Sequence, residues 1–121
     1  MDLNFFKQTR ILDGGMGQEL LARGMKPNGT LWSANAILDE NYHQLLQDTH
    51  RDFIKAGAEV IVTTTFTTRR KRLRENNIED KFEYLNIKAG QIASSVKKEF
   101  PNVLIAGGLP PQELTYEADE R

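Results

Sequence analysis

Three short apolar runs, each ending in an acid, a threonine or a glycine pair, constrain this chain more than any other feature. Arg10-Ile11-Leu12 leads into Asp13-Gly14-Gly15, and Glu59-Val60-Ile61-Val62 leads into a row of threonines. Val103-Leu104-Ile105-Ala106 leads into Gly107-Gly108. Short, continuously apolar and bounded by turn residues, the runs read as buried strands. Helical spacing fills the gaps between them. Residues 16–23 form a short helix closed by Gly24. Residues 41–56 carry Leu45, Leu46, Thr49, Phe53 and Ala56 at intervals of three and four and stop at Gly57. From 80 to 99, Phe82, Leu85, Ala89, Ile92, Ala93 and Val96 mark one apolar face, and Pro101-Asn102 breaks the helix. The order is β-α-β-α-β, which specifies a parallel sheet with helices packed over it, an α/β fold. A doubly wound open sheet and a TIM barrel both satisfy that order. Residues 31–38 have no assignable period, and 109–121 read as an irregular tail.

In such folds ligands sit beyond the carboxyl ends of the strands, and the polar candidates fall there. Asp13, with Gly14, Gly15 and Gly17, can hold a substrate ammonium or act as a base. A glycine-rich turn into a helix can also cradle phosphate, although the third glycine of a dinucleotide fingerprint is replaced by Leu20. The plainer reading makes Asp13 a helix cap. Thr63-Thr64-Thr65-Phe66-Thr67-Thr68 supplies five hydroxyls to the same edge, either for a polar substrate or for local backbone bonds. Trp32, the one tryptophan, lies beside Ser33. It can wall a pocket and stack on a cationic methyl donor, or simply pack.

Composition narrows the chemistry. A chain of 121 residues has room for one core. It contains no cysteine, which excludes disulfides, thiolate nucleophiles and Cys-based zinc sites in this stretch. His43 and His50 lie two helical turns apart, ~10 Å, too far to share a metal. A net charge of −1 argues against a nucleic-acid partner. The basic run Arg69-Arg70-Lys71-Arg72-Leu73-Arg74 precedes Glu75, Glu79 and Asp80 and reads as a solvated helix face, with Lys71 and Glu75 four apart. No apolar run approaches the ~20 residues that cross a bilayer, and the start lacks a basic-then-apolar leader. The cytoplasm is therefore the expected compartment, with no membrane partner.

Five blocks carry a resemblance. They are 11–20 (Ile-Leu-Asp-Gly-Gly-Met-Gly-Gln-Glu-Leu), 31–34 (Leu-Trp-Ser-Ala), 50–58 (His-Arg-Asp-Phe-Ile-Lys-Ala-Gly-Ala), 60–66 (Val-Ile-Val-Thr-Thr-Thr-Phe) and 106–111 (Ala-Gly-Gly-Leu-Pro-Pro). In order and spacing they resemble the homocysteine S-methyltransferase family, including its betaine- and S-methylmethionine-using members. The resemblance implies a (β/α)8 TIM barrel, of which 1–121 would be an incomplete β-α-β-α-β portion, about the first three units. A full barrel needs ~250 residues. It also implies transfer of a methyl group from a sulfonium, betaine or folate-type donor to homocysteine, giving methionine. The family's zinc, held by three cysteines, lowers the thiol pKa. By resemblance Asp13 helps hold the homocysteine amino group, Trp32 and Ser33 line the substrate or donor pocket, and Thr63, Thr65 and Phe66 share that rim. Where the family usually has Thr-Asn-Thr, this chain has Thr63-Thr64-Thr65.

No zinc ligands are present in this stretch, so the chain alone is expected to be inactive. Unpaired strand edges and an uncovered interior are expected to drive self-association. The alternative is a non-catalytic α/β scaffold whose basic run contacts an anionic partner.

Overall fold

The structure, a computed structural model, describes residues 2–113; the rest of the tail expected over 109–121 lies outside the described residues. In chain order the elements are α1 (Met16–Ala22), α2 (Asn35–Leu38), α3 (His43–Lys55), β1 (Val60–Val62), α4 (Arg70–Glu75), α5 (Phe82–Lys97) and β2 (Leu104–Ala106). Short 3-10 turns at Leu3–Lys7, Trp32–Ala34, Glu40–Tyr42 and Glu79–Lys81 join or precede them. β1 and β2 pair in parallel, with Val60 opposite Leu104, Ile61 opposite Ile105 and Val62 opposite Ala106. The chain is thus α/β with a small parallel sheet.

The first apolar run departs from the expected buried strand. It joins the sheet through one parallel bridge, Leu12 to Val60, and Ile11 and Leu12 are 59% and 58% exposed. The Asp13 N–H donates to Val60 O at 3.1 Å, and Ile11 O accepts from the N–H groups of Glu59 and Val60. The run therefore lies beside β1, on the side away from β2. Among the described residues no strand covers its outer edge, so its side chains meet solvent.

Two apolar clusters hold the layers together. Ile61 and Ile105 point from the sheet into a cluster with Ala58, Ala93, Val103, Phe53 and Ile54, which joins the sheet to α3 and α5. The other cluster lies among the helices and includes Leu20, Leu31, Ile37, Leu46, Leu73 and Leu85, all essentially inaccessible. Each such side chain contributes ~1.5–3 kcal/mol relative to exposure. Residues 31–38 show no period because Leu31 and Ser33–Ile37 are buried whichever way they face. They form a 3-10 turn running straight into α2.

Three helices stop in the same way. After α1, Gly24 N–H donates to Leu21 O and Met25 N–H to Leu20 O; after α3, Gly57 N–H donates to Ile54 O and Ala58 N–H to Phe53 O. After α4, Asn77 N–H donates to Arg74 O and Ile78 N–H to Leu73 O. Each is a Schellman pair of bonds, which needs a left-handed residue: Gly24 has φ +101°, Gly57 +121° and Asn77 +59°. Upstream of α3, the Asp39 carboxylate accepts the Asn41 N–H at 3.0 Å and sets a 3-10 turn, so the α-helix proper starts at His43.

The basic run forms α4 but is not a uniformly solvated face. Arg69 is only 5% exposed, and Arg70 stacks over the Phe82 ring at 4.0 Å. Lys71 pairs with Glu113 rather than with Glu75. Arg74 grips Glu79 through two bonds of 2.9 Å. Among the described residues no helix is long and apolar enough to cross a membrane.

Candidate functional site

Asp13 stands where the first run leaves the sheet. Its Oδ2 accepts the Val62 N–H at 3.0 Å, so the side chain extends the parallel pairing one step past the last backbone bond. It does not cap α1, whose N-cap is Gly15 with no side-chain bond. Burial pushes the Asp13 carboxyl above the usual carboxylate range, against the pull of the N–H groups of Val62 and of Asp13 itself.

The threonine row divides its labour. Thr65 Oγ1 donates to Gly108 O at 2.8 Å, and Thr63 Oγ1 accepts the Gly108 N–H at 3.1 Å. With Thr65's proton given to Gly108, the 3.1 Å contact between the two hydroxyls has Thr63 as donor. Together they fasten the end of β1 to the end of β2. A Cβ on Gly108 would lie 3.0 Å from Thr65 Oγ1 and 3.2 Å from Val62 Cγ1, so a side chain there would have to push these neighbours aside by a few tenths of an ångström. Thr67, 4% exposed, works in the other direction. Its Oγ1 donates to Leu31 O at 2.6 Å, accepts the Ala34 N–H at 3.1 Å and lies 3.5 Å from Ser33 Oγ. These bonds bracket Trp32, whose φ of +49° is a left-handed conformation costly for a bulky residue. The turn thereby projects a half-exposed indole.

These pieces enclose a cleft of about 630 Å³. Asp13, Trp32, Ser33, Thr63 and Phe66 line it; Thr65 does not, being turned to Gly108. Thr64, Thr67 and Arg72 are further walls. The sequence offers Thr64 and Thr67 only as members of the threonine row, and Arg72 only within the basic run, without assigning any of them to this cleft. Nothing in a row of threonines tells which hydroxyl is committed to backbone, and Arg72 is hidden in a run that resembles a solvated face. Trp32 and Phe66 are 49% and 47% exposed and give the cleft two aromatic surfaces. The chain has no cysteine, and among the described residues no cluster of three or more His, Asp or Glu could hold a metal ion. The described residues therefore do not fit the zinc that the resemblance implies.

The model of the homocysteine S-methyltransferase family matches residues 10–120. The chain belongs to this family. It is 34% identical over 90 residues to homocysteine S-methyltransferase 2 of Saccharomyces cerevisiae, a match covering 67% of this chain and 28% of that protein. It is 33% identical over 109 residues to the S-methylmethionine–homocysteine S-methyltransferase BHMT2 of Rattus norvegicus, covering 89% of this chain and 28% of that one. The crystal structure of the homocysteine methyltransferase MmuM from Escherichia coli, in its metallated form, superposes with a TM-score of 0.74 at 26% identity. That match covers 89% of this chain and 40% of MmuM. The chain thus spans under a third of these two curated relatives and two fifths of the solved homocysteine methyltransferase.

Proposed function

We propose that the cleft is the substrate half of a homocysteine methyl-transfer site, carried on part of a (β/α)8 barrel in a cytoplasmic protein. The observation that supports this reading is convergence. Residues from three separate sequence blocks, Asp13, Trp32 with Ser33, and Thr63 with Phe66, meet in one cleft beyond the carboxyl ends of the strands. Asp13 keeps Oδ2 on Val62 and offers its second oxygen and its charge to the homocysteine ammonium. The faces of Trp32 and Phe66 suit a cationic donor, a sulfonium or a quaternary ammonium, which an aromatic quadrupole attracts. Ser33, held against Thr67, lines the same cleft.

The zinc that activates the thiol in this family has no ligands here, so this chain's share of the work is binding and orientation. Methyl transfer to give methionine requires cysteine thiolates that this stretch does not contain. Titration calorimetry with homocysteine tests the binding half. The wild type is expected to bind. Asp13→Asn preserves the oxygen facing Val62 and is expected to weaken binding about tenfold or more, as loss of a charge-assisted bond implies. No binding by the wild type would sink the reading. Turnover of homocysteine and S-methylmethionine by the chain alone, with zinc, would overturn the claim of inactivity.

A further inference from the structure

The loop that leads to Trp32 is exposed throughout residues 26–30, so packing does little to hold it. Hydrogen bonds from the end of α4 fasten it instead. Asn76 Oδ1 accepts the Thr30 N–H at 3.2 Å, while its Nδ2 donates to Thr30 Oγ1 and to Arg72 O, both at 2.9 Å. A terminal nitrogen of Arg72 donates to Thr30 O at 3.3 Å. The Asn76 amide thus meets acceptors with its nitrogen and a donor with its oxygen, which fixes the way round it sits. Asn76 reaches the loop because it is the C-cap of α4, with the left-handed Asn77 turning the chain away behind it.

Trp32 borders two spaces. One is the cleft; the other is a smaller cavity of about 260 Å³ whose walls include Leu21, Met25, Pro27, Gly29 and Thr30. Thr67 fixes the backbone on either side of Trp32, but an indole with open space beside it can still turn from the cleft. The loop that bounds the smaller space is the one Asn76 clamps, and Asn76 itself lines neither cavity. We propose that Asn76 is a positioning residue: by clamping Thr30 it sets the pose in which Trp32 faces the cleft. Its consequence for binding rests on the reading that Trp32 faces a cationic methyl donor. Gly29 belongs to the same clamp. Its φ is +53°, and a Cβ there would lie 2.3 Å from Asn76 Oδ1, so the amide closes over a position that carries no side chain.

The chain's one tryptophan makes the test direct. Emission maximum and acrylamide quenching of Trp32 are measured for the wild type, Asn76→Ala and Gly29→Ala. S-Methylmethionine and homocysteine are titrated into each, and a urea midpoint is taken. Gly57→Ala, at another left-handed glycine but with nothing within 4 Å of the added Cβ, controls for backbone strain. Both clamp variants are expected to shift the emission and to raise the quenching. They should bind S-methylmethionine about threefold or more weakly, as partial loss of an exposed cation–π contact implies. Homocysteine, anchored at Asp13, should bind them as it binds the wild type. Gly57→Ala should lower the urea midpoint and change neither emission nor affinity. Thr30→Val, which keeps the N–H and loses the hydroxyl, should show a smaller shift, and it decides the matter if the clamp variants do not fold. Unchanged emission, the same shift in Gly57→Ala, or altered emission with undiminished S-methylmethionine affinity overturns the positioning role. No binding of S-methylmethionine by the wild type overturns the donor reading instead, and the emission then decides the clamp alone.

Discussion

At the scale of single residues, what could be read in the sequence was position along a strand, not commitment. Asp13 is legible because an acid between an apolar run and two glycines has few places to be. Thr65 looked equivalent to Thr63 and Thr64, yet Gly108, more than forty residues away, claims its hydroxyl. Thr67 and Arg72 were illegible for the same reason, since their roles are set by Leu31, Ala34 and the cleft. His50 is a further case. It is fully buried, neither ring nitrogen has a partner among the described residues, and burial holds its pKa down to about 4 from 6.5. Above about pH 6.5 both folded and unfolded chains carry it neutral and its contribution to stability is complete. As pH falls from there toward 4 the unfolded chain takes up the proton and the fold does not. Stability is expected to drop by up to about 3 kcal/mol across that window. Urea midpoints measured from pH 7.5 to 4 check this, and His50→Leu should flatten the decline.

At the scale of elements, helix ends were clearer than strand membership. Gly24 and Gly57 announce their stops because few residues adopt positive φ, whereas Asn77 performs the same turn without advertising it. The amphipathic stretches became α3 and α5, with starts shifted inward by two residues where 3-10 turns take over and C-terminal ends shifted inward by one or two. The first run shows the converse. An apolar pair says that a residue prefers burial, not that a neighbour exists to bury it, and Leu12 has Val60 on one side alone. The turn at Gly57 is where α3 hands over to β1, with Ala58 and Phe53 packed in one cluster behind it. Gly57→Ala places a Cβ in a left-handed conformation although nothing within 4 Å obstructs it. The cost is therefore conformational, about 1–2 kcal/mol, and should appear as a lower urea midpoint at unchanged m-value.

At the scale of the whole molecule, several large apolar side chains are left uncovered. Ile11, Leu12, Phe66 and Leu109 are each between 47% and 95% exposed, and the first run presents an unpaired edge among the described residues. We propose that copies of the chain associate through the edge at Ile11 and Leu12, pairing strands and covering these side chains. Light scattering should give a mass above that of one chain, shifting with concentration, and Leu12→Lys should reduce it; a monomer at all concentrations would refute the proposal. The mouth of the sheet adds a consequence of its own. Because the last rung between the first run and β1 is the Asp13 carboxylate, the group offered to a ligand is also a fastener of the scaffold. Occupancy and stiffness are then one variable. A guest that draws on that charge tunes how firmly two strands are stitched, and a loosened stitch would be felt as a weaker grip on the guest.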